Sequence, residues 1–492
     1  MRVCVWKDGV ATAAAAPSGP VFCAMGRQRT RNAVARALQA GAALVLVDHG
    51  LAPSIHDLVP ASRLRVVADV RRAYARLSAL EFGQPSRTLQ VIGVTGTNGK
   101  SSVAALLHWV LNQTGRPAGL IGTVRVCTGR RDEPGALTTP DAYDLARYLA
   151  EMEASGLTHA VMEVSSHGLD QRRTDGTHFR AAIFTNLAAD HLDYHPDLRA
   201  YAQAKRRLFE QLGPSSIAIL NADDPASDYM ALGTRSPMIW YGTSPASLVR
   251  GWWSGPDAVV TAPGFQRSAP LPGLGAHRLV NVLAVMAAAH ALAVPAAEAW
   301  EAVCRYPGLW RRLQIIEGPD PVLVIDDCAH NPSNLRAAVA AVRPLVHPGQ
   351  SLHVLYAVRG NRGVQVNRLN AEALAEAADA ATRVWLTNAA DLAGEADRVL
   401  PEEAAVYHET LRVGKVPYQF APAAAEAMRH IKADVRPGDV VLLLGAYAMD
   451  RAAALWRAVP ATFFGAGTEG VENAARQREP VAMSERGWTA GV

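Results

Sequence analysis

The stretch Val91-Ile-Gly-Val-Thr-Gly-Thr-Asn-Gly-Lys-Ser-Ser-Val103 decides how this chain is read. A short apolar run, a glycine turn and residues with helical spacing come one after another, the order of a strand, a phosphate-binding loop and a helix. Gly96 and Gly99 let the backbone approach an anion. The helix N-terminus offers unpaired N–H groups at its positive end, and Lys100 adds a point charge. Ser101 or Ser102 is placed to hold a magnesium ion beside the phosphates. The strict Walker pattern requires glycine where Val94 stands, and the upstream glycine, Gly93, is one residue early.

Outward from this loop, apolar strands alternate with helices, which predicts a mainly parallel sheet. Strands are expected at Leu89–Val94, His159–Val164, Ala181–Thr185, Ile217–Leu220 and Met238–Tyr241. Helices are expected at Ser102–Gln113, Asp141–Ser155, Leu198–Leu212 and Leu279–Leu292. Polar clusters stand at the C-terminal strand ends, where open α/β sheets bind ligands. Upstream, residues 1–88 read as a small α/β domain, with strands at Pro20–Met25 and Ala43–Asp48 and helices at Asn32–Ala40 and Val70–Phe82. Downstream of a break at Tyr306-Pro-Gly308 the alternation restarts, with strands at Val322–Asp326, Leu352–Tyr356, Val384–Leu386 and Val440–Leu444. Helices around Asn334–Val342, Ala371–Ala380 and Ala423–Ala433 separate them. The domains expected are therefore 1–88, 89–306 and 307–464, with 465–492, rich in Gly, Glu and Arg, as a disordered tail.

Bulk composition agrees with that count: 492 residues suffice for about three domains of roughly 100–200 residues each. Lys+Arg total 49 against 45 for Asp+Glu, and no basic run is interleaved with aromatics, so no nucleic-acid partner is expected. The five cysteines, Cys4, Cys23, Cys127, Cys304 and Cys328, are odd in number and show no CxxC spacing. A reducing cytoplasm suits them better than a disulfide framework or a zinc site. Lys7 and Asp8 stand where a signal peptide needs its apolar core, and no uncharged apolar stretch is long enough to span a bilayer. A cytoplasmic monomer with no membrane partner is expected.

Two further motifs come directly after apolar strands. Glu163-Val-Ser-Ser-His167 would bring Glu163 out at the sheet's C-terminal edge, where a carboxylate can ligate magnesium. Asp190, His191, Asp193 and His195 crowd one loop, and an oxygen-rich loop near phosphates suits magnesium better than zinc.

Together, Gly93-x-Thr-Gly-Thr-Asn-Gly-Lys-Ser101, Thr138-Thr-Pro140, Glu163-Val-Ser-Ser-His-Gly-Leu169, Asn186 to His195, Tyr201-Ala-x-Ala-Lys205 and Asp327-x-Ala-His-Asn-Pro332 resemble the Mur ligase family. The likeness is to the type that adds the third peptide residue to UDP-N-acetylmuramoyl-dipeptide. It runs from about Leu89 to Leu444, and the early Gly93 is that family's own spacing. The resemblance implies an α/β chain of three domains: a small N-terminal acceptor-binding domain, a central P-loop-type ATPase domain and a C-terminal Rossmann-like domain. It implies that Thr97, Asn98, Gly99, Lys100, Ser101 and Ser102 cradle ATP and that Asn281 faces adenine. It further implies that Ser101, Glu163 and His191 hold magnesium, two ions in all, and that Lys205 carries a carbamate whose oxygens join them. Asp327 and His330 would meet the nucleotide when the C-terminal domain closes. Arg362, in Arg359-Gly-Asn-Arg-Gly363, would neutralise charge on the phosphoryl group. Thr138, Thr139, Ser165, Gln171 and Arg173 match residues that hold the muramoyl-peptide. The implied reaction is attack of an acceptor carboxylate on the γ-phosphate of ATP, then displacement of the acyl phosphate by an amino acid's amine.

Other positions depart from the family. Its Asp-Asn-Pro-Arg, whose arginine pairs with the amino acid's carboxylate, is Asn388-Ala-Ala-Asp-Leu392 here, so that arginine is absent. Its Gly-Lys-Gly-His-Glu, whose glutamate binds a distal amine, is Gly445-Ala-Tyr-Ala-Met-Asp450, leaving Asp450 as the shorter candidate. Gly-Arg-x-Glu-Arg becomes Gly308-Leu-Trp-Arg-Arg312, and Arg278 replaces the first asparagine of the adenine motif. Ala24-Met-Gly-Arg27 and Arg29-Thr-Arg31 stand where the family recognises the UDP sugar. Neither diaminopimelate nor lysine is expected as the incoming amino acid, and a specialised pathway with altered substrates is the expectation. Two other readings are a ligase for a non-UDP acceptor, like folylpolyglutamate or cyanophycin synthetases, and a catalytically silent nucleotide-binding partner. Thr138 and Arg173 argue against folates, the missing ATP-grasp half against a complete cyanophycin enzyme, and the full set Lys100, Glu163, His191 and Lys205 against silence.

Overall fold

Gln90–Thr95, all but its first residue buried, is a central strand of an 11-stranded sheet and has parallel neighbours on both sides, His159–Glu163 and Phe179–Phe184. The computed structural model describes residues 5–7, 10–11, 20–25, 30–191, 194–272, 275, 277–316 and 322–460. Arg27, Arg29, Asp193 and the tail expected at 465–492 lie outside them. The described residues fall into two compact units, one within Met1–Leu271 and His277–Tyr306, the other within Pro272–Ala276 and Pro307–Val492.

The first unit holds two sheets. Its small sheet pairs Val21–Cys23, Leu44–Asp48 and Leu64–Val67 in parallel, with Val5–Lys7 and Val10–Ala11 beyond. The large sheet runs parallel from Ala118–Ile121 through the central strand to Val249–Ser254, and antiparallel strands finish both ends. Apolar runs such as Val91–Val94 and Ala160–Met162 are fully buried because helices cover such a sheet on both faces. One of these helices, Lys100–Gln113, starts two residues earlier than Ser102, since Gly99, at φ 83°, ends the loop and caps the helix directly. Ala118–Ile121 escapes sequence reading, being four residues with a glycine and no period. The Trp-rich meander Val249–Ala269 likewise carries no strand signal that separates it from a loop.

The second unit is a six-stranded sheet, parallel except for its edge strand Gln314–Ile316. In spatial order the rest are Leu323–Asp327, Val440–Leu444, Leu352–Ala357, Thr382–Thr387 and Tyr418–Ala421. The three α/β sheets match the fold class expected from sequence. The helix expected from Ala371 begins already at Val364, after Gly363, and Pro401–Val413 is an additional helix.

Arg311 ties this unit together. It is 1% exposed, with φ 51°, and lies against Asp326, itself fully buried. Its Nε donates to both Asp326 oxygens at 3.1 Å, Nη1 to Asp450 Oδ1 at 2.7 Å, and Nη2 to Gly445 O at 2.6 Å. The segment after Pro307 is thereby fastened to the end of the Val440–Leu444 strand. Burial pushes the Asp326 carboxyl up to about 6, and Arg311 opposes that shift. Replacing Arg311 by Met would strand a buried carboxylate, so Arg311→Met is expected to destabilise this unit by about 3–5 kcal/mol. A lowered urea midpoint, tracked by the fluorescence of buried Trp385 and Trp456, measures the loss.

Candidate active site

Gly96 leaves the central strand at φ 149°, its backbone pressed on the end of the neighbouring strand. A Cβ there would lie 1.9 Å from Thr185 Oγ1 and 3.1 Å from the Asn186 backbone, so glycine is required. Asn186 clamps the next two residues of the loop. Its carbonyl accepts from the Thr97 N–H at 2.8 Å, its Oδ1 from the Asn98 N–H at 2.9 Å, and its Nδ2 donates to Asn98 O at 3.1 Å. Asn281, from the helix His277–Ala291, lies on the loop itself, since a Cβ on Gly99 would meet its Oδ1 at 2.8 Å. The loop therefore opens a 14-residue helix whose first N–H groups are positioned as in a phosphate site. Gly93 has another task. A Cβ on it would come within 2.9 Å of the Phe179 ring, so the early glycine serves packing inside the strand rather than the cradle.

Two lysines converge on one carbonyl. Lys100 Nζ donates to Gly96 O at 2.9 Å and to Thr97 O at 2.8 Å, and Lys205 Nζ donates to the same Gly96 O at 2.7 Å. Lys205 comes from the helix Leu198–Glu210, is 1% exposed, and sits 4.2 Å above the Tyr201 ring. Burial, and secondarily the charge of Lys100, push its amine well below the ordinary lysine range.

Glu163 is 3% exposed at the end of its strand. Its Oε2 accepts from Ser101 Oγ at 2.8 Å and its Oε1 from the Thr123 N–H at 2.9 Å. Both of these donors are neutral. His191, at φ 55°, sets its ring 4.9 Å from His167 and 6.1 Å from Tyr201. Although 43% of its side chain is exposed, the partial loss of water around the ring pushes it down to about 4, with Asp190 opposing and His167, Lys100 and Lys205 assisting, which favours the neutral imidazole. His195 is buried beside it. Among the described residues no group of three or more His, Cys, Asp or Glu side chains is arranged to hold a metal.

Beside Glu163 lies a polar cluster. Thr139 Oγ1 donates to Glu163 O at 3.0 Å and accepts from the Ser165 N–H at 2.9 Å, while Thr138 and Thr123 share a hydroxyl contact of 2.8 Å. Arg173 donates to Thr139 O and to Gln171 Oε1, at 2.6 and 2.8 Å. All five expected acceptor residues thus belong to one network next to the loop. Thr123, Asn186 and Tyr201 are the contributors that sequence reading left without a role. Tyr201 had a signal, since its i,i+4 spacing from Lys205 puts ring and amine on one helix face. Thr123 had none.

Asp327, His330, Arg362 and Asp450 belong to the second unit. Asp327 accepts the N–H of Leu313 and of Ala329, both at 2.8 Å, and His330 Nδ1 bonds Cys328 O. Arg362 is partly exposed, 3.7 Å from Asp397. Asp450, expected to face a distal amine, accepts through Oδ1 from Arg311 Nη1 at 2.7 Å. At the substituted motif, Asp391 caps the helix Ala424–Asp434, accepting from the N–H groups of Ala424 and Ala425 at 2.7 and 3.0 Å.

The profile of the Mur ligase middle domain matches residues 94–289, and that of the Mur ligase glutamate ligase domain matches 311–447. The UDP-N-acetylmuramoyl-L-alanyl-D-glutamate–2,6-diaminopimelate ligase of Alkalilimnicola ehrlichii is 36% identical over 432 residues, 83% of each chain. The chain belongs to the Mur ligase family. The Pseudomonas aeruginosa ligase of the same name is 34% identical over 87% of each chain. Among solved structures, a ligase of that name superposes with a TM-score of 0.62 at 23% identity, covering 90% of this chain and 92% of that one. MurF ligase from Thermotoga maritima, in complex with ADP, gives 0.61 at 18% identity over 90% and 95%. This Mur ligase is an ATP-dependent acid–amino-acid ligase that forms an amide bond and ADP. Among its described residues no helix is long and apolar enough to cross a membrane.

Gly96→Ala is expected to weaken ATP binding by about tenfold or more, because the Cβ would force the loop away from Thr185. Gly213→Ala, whose Cβ meets nothing closer than 3.9 Å, is the control that keeps parental affinity; titration calorimetry compares the two.

Proposed function

We propose that this ligase extends a UDP-muramoyl-peptide-like acceptor by one amino acid that carries no ionised group at the end of its side chain. The convergence of Lys100 and Lys205 on Gly96 O, next to buried Glu163, carries the ATP end of this reading. In the proposed division of labour, residues 1–88 serve the acceptor, 89–306 ATP and 307–464 the amino acid.

The donor set fits magnesium. Glu163 is a buried carboxylate bonded to two neutral donors, Ser101 is its hydroxyl neighbour, and His191 favours the neutral imidazole, the form a ligand needs. Ser101, Glu163 and His191 would hold the metal, which supplies positive charge to the phosphoryl oxygens. Lys205 fits a carbamate for a related reason. An amine kept neutral by burial can attack carbon dioxide, releasing one proton, and the resulting anion meets Lys100 with opposite rather than like charge. Lys100 would turn to the phosphates and, with Arg362, stabilise charge developing on the transferred group. Thr138, Thr139, Ser165, Gln171 and Arg173 would orient the acceptor carboxylate, and exclusion of water would protect the acyl phosphate until the amine arrives.

The curated relatives carry 2,6-diaminopimelate in their names, and the second unit is where this chain parts from that chemistry. Where the family has a carboxylate-binding arginine, Asp391 spends both oxygens on a helix cap. Where the family has an amine-binding glutamate, Met449 is fully buried and Asp450 is held by Arg311. A charged distal head would find neither partner.

ADP release over a matrix of amino acids, with UDP-N-acetylmuramoyl-L-alanyl-D-glutamate as acceptor and products identified by mass, tests the proposal. The expected result is turnover with an uncharged side chain; ordinary rates with diaminopimelate or lysine would overturn the specificity, and no turnover with any amino acid would overturn the acceptor. Lys100→Ala is expected to lower kcat by about 100-fold or more. Lys205→Ala should lose activity that a short carboxylic acid partly restores, whereas full activity without it would defeat the carbamate.

A further inference from the structure

The loop Arg359–Gly363 folds around a charge of its own. Glu403, in the first turn of the helix Pro401–Val413, is fully buried with its carboxylate under three successive backbone N–H groups. Asn361 N–H donates to Oε2 at 3.0 Å, and the N–H groups of Arg362 and Gly363 donate to Oε1 at 2.8 and 2.7 Å. Leu400 N–H adds a fourth bond to Oε2 at 2.9 Å, so the side chain also closes the start of its own helix. A run of backbone N–H groups curled in this way is an anion-binding nest, and here the anion is internal. Burial pushes the carboxyl up, yet the four N–H bonds outweigh it and leave it below the usual carboxylate range.

The same anion joins a buried polar chain. Asn367 donates to Arg359 O at 2.9 Å and accepts from Tyr407 Oη at 3.2 Å; Tyr407 reaches Tyr356 Oη, also at 3.2 Å. Asn370 continues from Tyr356 to His330 O, at 3.3 and 3.1 Å. Asn367, Asn370, Tyr356 and Tyr407 are all fully buried. The chain therefore links the loop bearing Arg362 to the loop bearing His330 without passing through solvent. The loop bearing Arg362 is held tightly as well: Asn361 has φ 55°, and a Cβ on Gly360 would lie 2.1 Å from Asp397 O.

We propose that Glu403 is the positioning residue for Arg362, fixing where that guanidinium is presented by holding the backbone N–H groups of residues 361–363. The proposal rests on the phosphoryl role assigned to Arg362 above. Glu403→Gln keeps the size but turns an amide NH₂ toward N–H donors, so the nest opens while the helix and sheet remain.

The test is a double-mutant cycle of Glu403→Gln and Arg362→Ala, read as ADP release with ATP, UDP-N-acetylmuramoyl-L-alanyl-D-glutamate and the amino acid that turns over fastest. Arg362→Ala is expected to lower kcat, and Glu403→Gln to lower it by about 10–100-fold with little change in KM for ATP. In the Arg362→Ala background the Glu403→Gln loss should shrink to about twofold or less, because positions that act as a unit are not additive. An equal loss in both backgrounds would show a merely structural role and overturn the proposal. Parental kcat in Glu403→Gln beside a slow Arg362→Ala would overturn it alone, whereas parental kcat in Arg362→Ala would sink the role of Arg362 first. Should Glu403→Gln fail to fold, amide hydrogen exchange of the parent protein decides. Slow exchange at residues 361, 362 and 363 is expected, and exchange at the rate of an open loop would overturn the proposal.

Discussion

The contact between the Gly96 backbone and Thr185 is the constraint on which the candidate site depends. It sets two adjacent strand ends so close that no side chain fits between them. Asn186 can then reach across to bond the loop, and Gly99 can turn directly into a helix. The same closeness exposes one carbonyl, Gly96 O, to amines from two different helices. A loop displaced outward would keep its glycines and lose this geometry.

Electrostatics then sorts the side chains around that carbonyl. Two ammonium groups meeting in a buried place repel one another, and the one with less access to water gives way. Lys205, on the inner side and almost wholly buried, is the one whose charge is disfavoured. Lys100, only half-buried at the head of its helix, keeps better access to water. Glu163 brings a carboxylate to the same area, its two oxygens bonded to Ser101 and Thr123. The site is thus asymmetric in charge before any substrate enters, which suits a reaction in which a highly anionic group is transferred.

The second unit solves a different problem with internal charges. Its strand-end loops are stabilised by Arg311 on one side and Glu403 on the other, each buried and each bonded to several partners. A buried ion is expensive unless its bonds are complete, and both are close to complete. That completeness bears on the specificity proposed above. Asp391, Asp450 and Asp327 are carboxylates that a substrate could have used, but each bonds to the protein. The motifs that carry the family resemblance lack its arginine and glutamate here, and the carboxylates at those places, Asp391 and Asp450, bond to a helix N-terminus and to Arg311.

How much of this was legible beforehand depends on the range of the interactions. Strands such as Ile217–Asn221 and helices such as Leu198–Glu210 were readable because periodicity is local. The phosphate loop stood out because its glycines and lysine lie close together in the chain, Glu163 and His191 because each follows an apolar strand, and Lys205 only through family resemblance. Sequence gave Gly93 no physical role beyond the family's spacing, since the Phe179 ring that requires it is remote in the chain. It gave Glu403 no role and made Asp450 a candidate ligand, because nothing local says that the partners of one are backbone N–H groups at 361–363 and of the other a guanidinium at 311. The sequence by itself determined most of the parallel strands and their helices, the loop and the family. Tertiary structure alone decided which charges are left for substrates and which are consumed within the protein, because pairing of buried charges depends on distances that no local pattern records.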